Sequence, residues 1–148
     1  MRPIGLLLFT ALLLAPLCHA SSVDKKPIDP VALTALAAKA SLAQPKDQCF
    51  LYAELVHQMT EFAGHQLSQG EDPSATLRAV RYYTQKIHLG EVHDNKKLKN
   101  AQILMEHTSF RLNEILHSAA LDDRPLLEST LKTLNQVQNE LMMQVFRH

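Results

Sequence analysis

The chain has 148 residues, 46% of them hydrophobic, and its 15 Lys and Arg are matched by 15 Asp and Glu, so its formal charge is zero with the histidines neutral. That balance excludes the concentrated basic surface that nucleic acid or an anionic membrane requires of a partner, and the length bounds the fold to one domain with a real core. With two cysteines, it is no disulfide-stapled scaffold.

Residues 1–20 read as a cleaved signal peptide. Arg2 supplies a positive start, Ile4 to Leu14 is an apolar run broken only by Gly5 and Thr10, Pro16 interrupts it, and Cys18-His19-Ala20 makes a small-x-small cleavage pattern. The run is well short of the roughly 20 residues a membrane-spanning helix needs, and no later segment comes closer, so no integral membrane segment is expected after cleavage. A lipid on Cys18 is opposed by Leu17, where lipoprotein signals carry a small residue. Cleavage after Ala20 leaves 128 of the 148 residues; Lys and Arg fall from 15 to 14 against 15 acids, and Cys49 becomes the last thiol. Cys49 is then either a small buried apolar residue or the partner of a thiol on a second chain, and the burial tendency of free cysteine favours the first.

Beyond the signal, residues 21–45 form a polar lead and a short alanine-rich helix. Asp29-Pro30 is a helix start, a capping carboxylate followed by proline at the first helical position, and Pro45 ends the segment Val31 to Leu42. Its apolar surface is mostly alanine methyl groups, so it should be weakly anchored. The next helix runs from about Lys46 to Gln69 and stops at Gly70, with Leu51, Tyr52, Leu55, Val56, Met59, Phe62, Ala63 and Leu67 along its core stripe. Asp72-Pro73 opens a further helix that turns Leu77, Val80, Tyr83, Thr84 and Ile87 inward before Gly90.

Asp94 can cap a third long helix with Leu98, Ala101, Leu104, Met105, Thr108, Leu112, Ile115 and Ala119 on one side. After a break over Leu121 to Pro125, a last helix shows Leu127, Thr130, Leu131, Leu134, Val137, Leu141 and Val145, close to a heptad seam. No stretch alternates as a strand does. The expected fold is all-α: an antiparallel up-down-up-down four-helix bundle over residues 46–148, preceded by the alanine-rich helix and the cleaved signal. Two other architectures remain open: three helices, if two of them fuse through Gly90, and a dimer sharing one bundle.

Two Glu-x-x-His repeats are the sharpest candidates for chemistry. Glu54 with His57, and Glu114 with His117, place a carboxylate and an imidazole on one helical face, the spacing that di-iron bundles use. At 100° per residue, however, Glu54, His57, Glu61 and His65 fall opposite the Leu55 and Met59 stripe, and Glu114, His107 and His117 fall opposite Leu98, Met105 and Leu112. No Glu or Asp stands between Leu77 and Ile87 to complete a buried di-metal set. What survives is an exposed site for a Zn, Cu or Fe ion on Glu54, His57, Glu61, His65, Glu114 and His117, with His88 and His93 beside Asp94 as further ligands.

Other chemistry finds less. There is no Cys-x-x-Cys-His, and Met59, Met105, Met142 and Met143 suit core packing better than haem ligation. No Gly-x-Ser-x-Gly elbow, phosphate-cradling loop or His-Glu-x-x-His occurs, and Gly64, Gly70 and Gly90 stand alone. Lys96, Lys97 and Lys99 read as a solvated face. No cofactor and no enzymatic activity are expected.

An interaction role has one positive sign. Ile103 and Phe110 lie seven residues apart on an otherwise polar helix face, with Phe50 on the outer side of the 46–69 helix, a pattern that marks a second interface for the alanine-rich helix or another subunit. With the stretch Lys97 to Ala101 (KLKNA) and the ending Met143 to His148 (MQVFRH), the chain resembles small exported α-helical proteins of bacteria. The resemblance implies bacterial-type export to a periplasm or beyond, and it brings no activity or site residue. The expectation is a non-enzymatic exported bundle that binds protein or itself, as an envelope scaffold or accessory subunit; the alternative is a metal-binding or metal-buffering bundle.

Overall fold

The computed structural model describes residues 28–87 and 95–147. The signal peptide, most of the polar lead, and the readings placed on His88, Gly90, His93 and Asp94 lie outside the described residues. Five helices follow in order: α1 (Pro30–Leu42), α2 (Pro45–Ser68), α3 (Ser74–Thr84), α4 (Asn95–Ser118) and α5 (Arg124–Phe146). The protein is all-helical among the described residues.

Helix ends follow local chemistry. The Asp29 carboxylate accepts the Val31 amide at 2.9 Å, and Pro30 occupies the first turn of α1. Pro45 ends nothing by itself; α1 already stops at Leu42, and the fixed φ of Pro45 opens α2. At the far end of α2, Gly70 takes φ +73, the Glu71 amide donates to Gln66 O at 2.9 Å and the Gly70 amide to Leu67 O at 3.1 Å. These paired bonds satisfy carbonyls the helix would otherwise leave open, and only glycine enters that backbone region without strain. The Asp72 carboxylate then accepts the Ser74 amide at 2.9 Å, and the Ser74 hydroxyl together with that amide holds its carboxyl below the ordinary 3.8.

Helix pairing departs from a bundle of sequential antiparallel neighbours. α2 and α3 form a hairpin, fixed by the stacked rings of Tyr52 and Tyr83 at one end, 6.1 Å apart, and by a 2.7 Å bond from Thr76 to Gln66 at the other. α4 and α5, of 24 and 23 residues, form a second hairpin through the short break at 119–123. Between the hairpins, Asp47 meets Lys97, His57 meets Thr108, Glu61 meets Arg111 and Gly64 meets Ile115. Both series ascend together, so α2 and α4 run parallel. α3 packs on α5 and not on α4, α2 does not pack on α5, and α1 packs on α2 alone, among the described residues.

That arrangement gives α2 three neighbours and a wide buried arc. Cys49, Ala53 and Thr60 are buried beside the expected Tyr52, Leu55, Val56 and Ala63, whereas Leu51, Met59, Phe62 and Leu67 are half-buried at its margin. α4 and α5 bury the stripes their periodicity indicates, Leu98, Ala101, Met105, Leu112 and Ile115 against Leu127, Leu134, Val137 and Leu141. Each of the helices α2 to α5 also buries one threonine fully: Thr60, Thr84, Thr108 and Thr130. Their hydroxyls donate to the carbonyl four residues back at 2.7 to 2.9 Å, so these four are buried without being left unsatisfied.

Candidate functional site

The parallel α2–α4 seam engages three of the Glu and His candidates, His57, Glu61 and Glu114, in bonds to protein partners. Arg111 reaches across the seam, its Nε 3.2 Å from both oxygens of Glu61, while its terminal nitrogen donates to Glu114 at 3.3 Å on its own helix. One guanidinium thus bridges a carboxylate from each Glu-x-x-His helix. A cation already fills the place between two of the proposed ligands, and its fixed fork of donors suits that geometry.

His57 lies about one turn away from this bridge along α2. Its Nδ1 is 3.0 Å from the Thr108 hydroxyl, whose single proton is donated to Leu104 O at 2.7 Å. Thr108 therefore accepts, and His57 carries its proton on Nδ1. Glu54 accepts from Gln58 at 3.4 Å on the same helix. His65 is exposed beside Gln69, and the exposed His117 donates from Nδ1 to Asn113 O at 2.7 Å.

Among the described residues, no three His, Cys, Asp or Glu side chains converge as a metal set. One correction follows among Glu54, His57, Glu61, His65, Glu114 and His117: His57 and Glu61 belong to the half-buried seam against α4, not to a solvent face. The helical wheel identified the side opposite Leu55 correctly, but α4 covers part of that side.

Cys49 is 1% exposed among core residues, and burial pushes its thiol up to about 11. A thiolate nucleophile needs the opposite shift, so this group is a packed apolar residue.

Two grooves flank the seam. Near its start, a groove of about 630 Å³ is lined by Lys39, Leu42, Asp47, Phe50, Leu51 and Lys97. The Lys97 ammonium bonds to Asp47 there and holds that carboxyl below its ordinary 3.8. Phe50 thus lies beside the end of α1. At the opposite end, a groove of about 780 Å³ runs between Gly64, Leu67, Arg111 and Ile115, with Glu71, Asp72 and Asp123 at its margin. No family model, curated protein or solved structure matches the chain.

The remaining two interaction candidates sit apart from both grooves. Ile103 is 39% and Phe110 67% exposed on α4, facing away from the side that carries Thr108, Arg111 and Ile115 toward α2. Because α1 packs on α2 alone, it does not cover them. Arg111 itself escaped the sequence reading, although Arg111-x-x-Glu114 was a visible i,i+3 pair; its cross-seam partner Glu61 is 50 residues distant and had no local signal.

Proposed function

We propose that the chain is a non-enzymatic protein exported in the bacterial manner, its helices α2 to α5 forming one bundle, and that it works through protein contacts as an envelope scaffold or accessory subunit. The carrying observation is the outward pair Ile103 and Phe110 on α4, 39% and 67% exposed. A protruding aromatic seven residues from a branched aliphatic suits the anchor of a helix-to-helix interface, where aromatic side chains contribute most. The signal-like residues 1–20 support the exported part of the reading.

Mass in solution tests it. Self-association through this pair requires a wild-type mass above that of one chain, lowered to one chain by Phe110→Asp and unaffected by Lys132→Glu on exposed α5 surface. A single-chain mass for wild type and both variants overturns the self-associating form.

A further inference from the structure

The outer face of α4 carries an ordered set of side chains around Ile103 and Phe110. At 100° per residue, Lys99, Ile103, Glu106, His107, Phe110 and Glu114 fall within about 50° of one direction, opposite the side of Thr108 and Leu112 that packs on α2 and α5. All six are exposed. Lys99 precedes the apolar pair, Glu114 follows it, and Glu106 and His107 stand at its midpoint. Charges of opposite sign therefore bracket an apolar centre along one helix face.

Such a face is complementary to itself when a second copy lies antiparallel against it. A twofold axis between Glu106 and His107 pairs each residue with the one equally far beyond that midpoint. Lys99 then meets Glu114 of the second copy, Ile103 meets Phe110, Glu106 meets His107 and Asn100 meets Asn113, each contact occurring twice. Glu114, 49% exposed although it accepts from Arg111 at 3.3 Å, has room for a second cation. Glu106 accepts from Gln102 through Oε2, which leaves Oε1 for an imidazole N–H. Lys96 falls opposite His117 at the fringe, a contact on which the pairing does not depend. Other arrangements fail on the same residues. A parallel pair sets Lys99 against Lys99 and Glu106 against Glu106; sliding the antiparallel pair by seven residues sets Phe110 against Lys96 in one direction, and Ile103 against His117 with Glu106 against Glu114 in the other.

We infer that the partner of this face is a second copy of the chain, docked α4 against α4, antiparallel, about a twofold axis between Glu106 and His107. Charge complementarity fixes the direction and the register, and Ile103 against Phe110 supplies the apolar centre. This docking rests on the protein-contact reading of Ile103 and Phe110 and adds the identity and orientation of the partner. From Lys99 to Glu114 the face is about 22 Å long. One helix pair of that length is smaller than a standard interface, so the dimer belongs to the weak, concentration-dependent class.

Sedimentation equilibrium of the full chain, followed to about 1 mM, tests this with charge reversals. Wild type is expected to dimerise as concentration rises, and Phe110→Asp to stay a single chain. Lys99→Glu and Glu114→Lys each turn both Lys99–Glu114 contacts into like-charge ones, and each should weaken the dimer about tenfold. The two reversals together in one chain exchange the sides of each pair and leave the net charge at its wild-type value, so association should return to the wild-type level. Wild-type circular dichroism of every variant shows that the bundle is intact. If Phe110→Asp dissociates the dimer but the single reversals leave it unchanged, or the double reversal stays as weak as the singles, the antiparallel register is overturned while self-association through Ile103 and Phe110 stands. A wild type that remains a single chain throughout overturns both.

Discussion

Arg111 holds Glu61 across the α2–α4 seam, its Nε equidistant at 3.2 Å from the two carboxylate oxygens. The side chains are 37% and 20% exposed, so solvent screens the pair and its contribution should be modest. A double-mutant cycle of Arg111→Met and Glu61→Gln, read by urea unfolding, is expected to give a coupling of about 0.5 kcal/mol that shrinks in high salt. Methionine keeps the apolar stem of Arg111 in place, which separates lost charge from lost packing. A coupling above about 2 kcal/mol would mean that the seam excludes water.

Gly64 permits a close approach of the Ile115 side chain of α4 to α2. A Cβ there would stand 2.8 Å from Ile115 Cδ1, the mobile end of its side chain. Gly64→Ala gains about 1 kcal/mol of helix propensity and must displace that methyl, so the net change should lie within about 1 kcal/mol of zero. Gly64→Leu cannot be accommodated by one rotamer change and should destabilise by about 1–3 kcal/mol. Thermal unfolding of the two variants, and of Gly64→Leu with Ile115→Ala, checks the pairing, since the second change should recover part of the loss.

Thr108 and Thr130 occupy like positions in α4 and α5 but differ in what depends on them. Each hydroxyl donates to a carbonyl that is also a helical acceptor, so Thr130→Val should be neutral within about 0.5 kcal/mol. Thr108 additionally accepts from His57, and Thr108→Val should cost about 1 kcal/mol more by removing that acceptor. Comparing the two by denaturant midpoint isolates the cross-seam bond. Equal effects would count against the Nδ1–H assignment of His57.

Cys49 sets an alkaline limit. Its thiol is raised from an ordinary 9.0 to about 11 by burial, so the native state holds the proton more tightly than the unfolded chain. Stability from this group is therefore complete below about pH 9 and declines as pH rises through about 11, by at most about 3 kcal/mol. Cys49→Ala should flatten that decline. At neutral pH the folded protein should resist a thiol reagent that labels Cys49 promptly in denaturant; prompt labelling of the native protein would contradict its burial.

Local grammar made individual elements legible, and long-range pairing hid the rest. Asp29-Pro30 and Gly70 mark helix boundaries through bonds made within a few residues, and the α4 and α5 stripes follow a period that one helix can express alone. Which helix covers which face depends on contacts between residues 50 or 51 apart, as in Glu61 with Arg111 and His57 with Thr108. Without that pairing, the outer side of α2 reads as solvent, and Ala53 and Thr60 read as peripheral because neither is strongly apolar.

The Arg111 bridge and the two grooves both require α2 and α4 to lie side by side and parallel. Nuclear Overhauser contacts of the Ile115 δ-methyl report this directly. The structure requires a strong contact from that methyl to the α-protons of Gly64, with a companion contact between the Tyr52 and Tyr83 rings. An Ile115 methyl in contact with the start of α2 around Cys49, and silent at Gly64, would show the helices antiparallel and contradict the account.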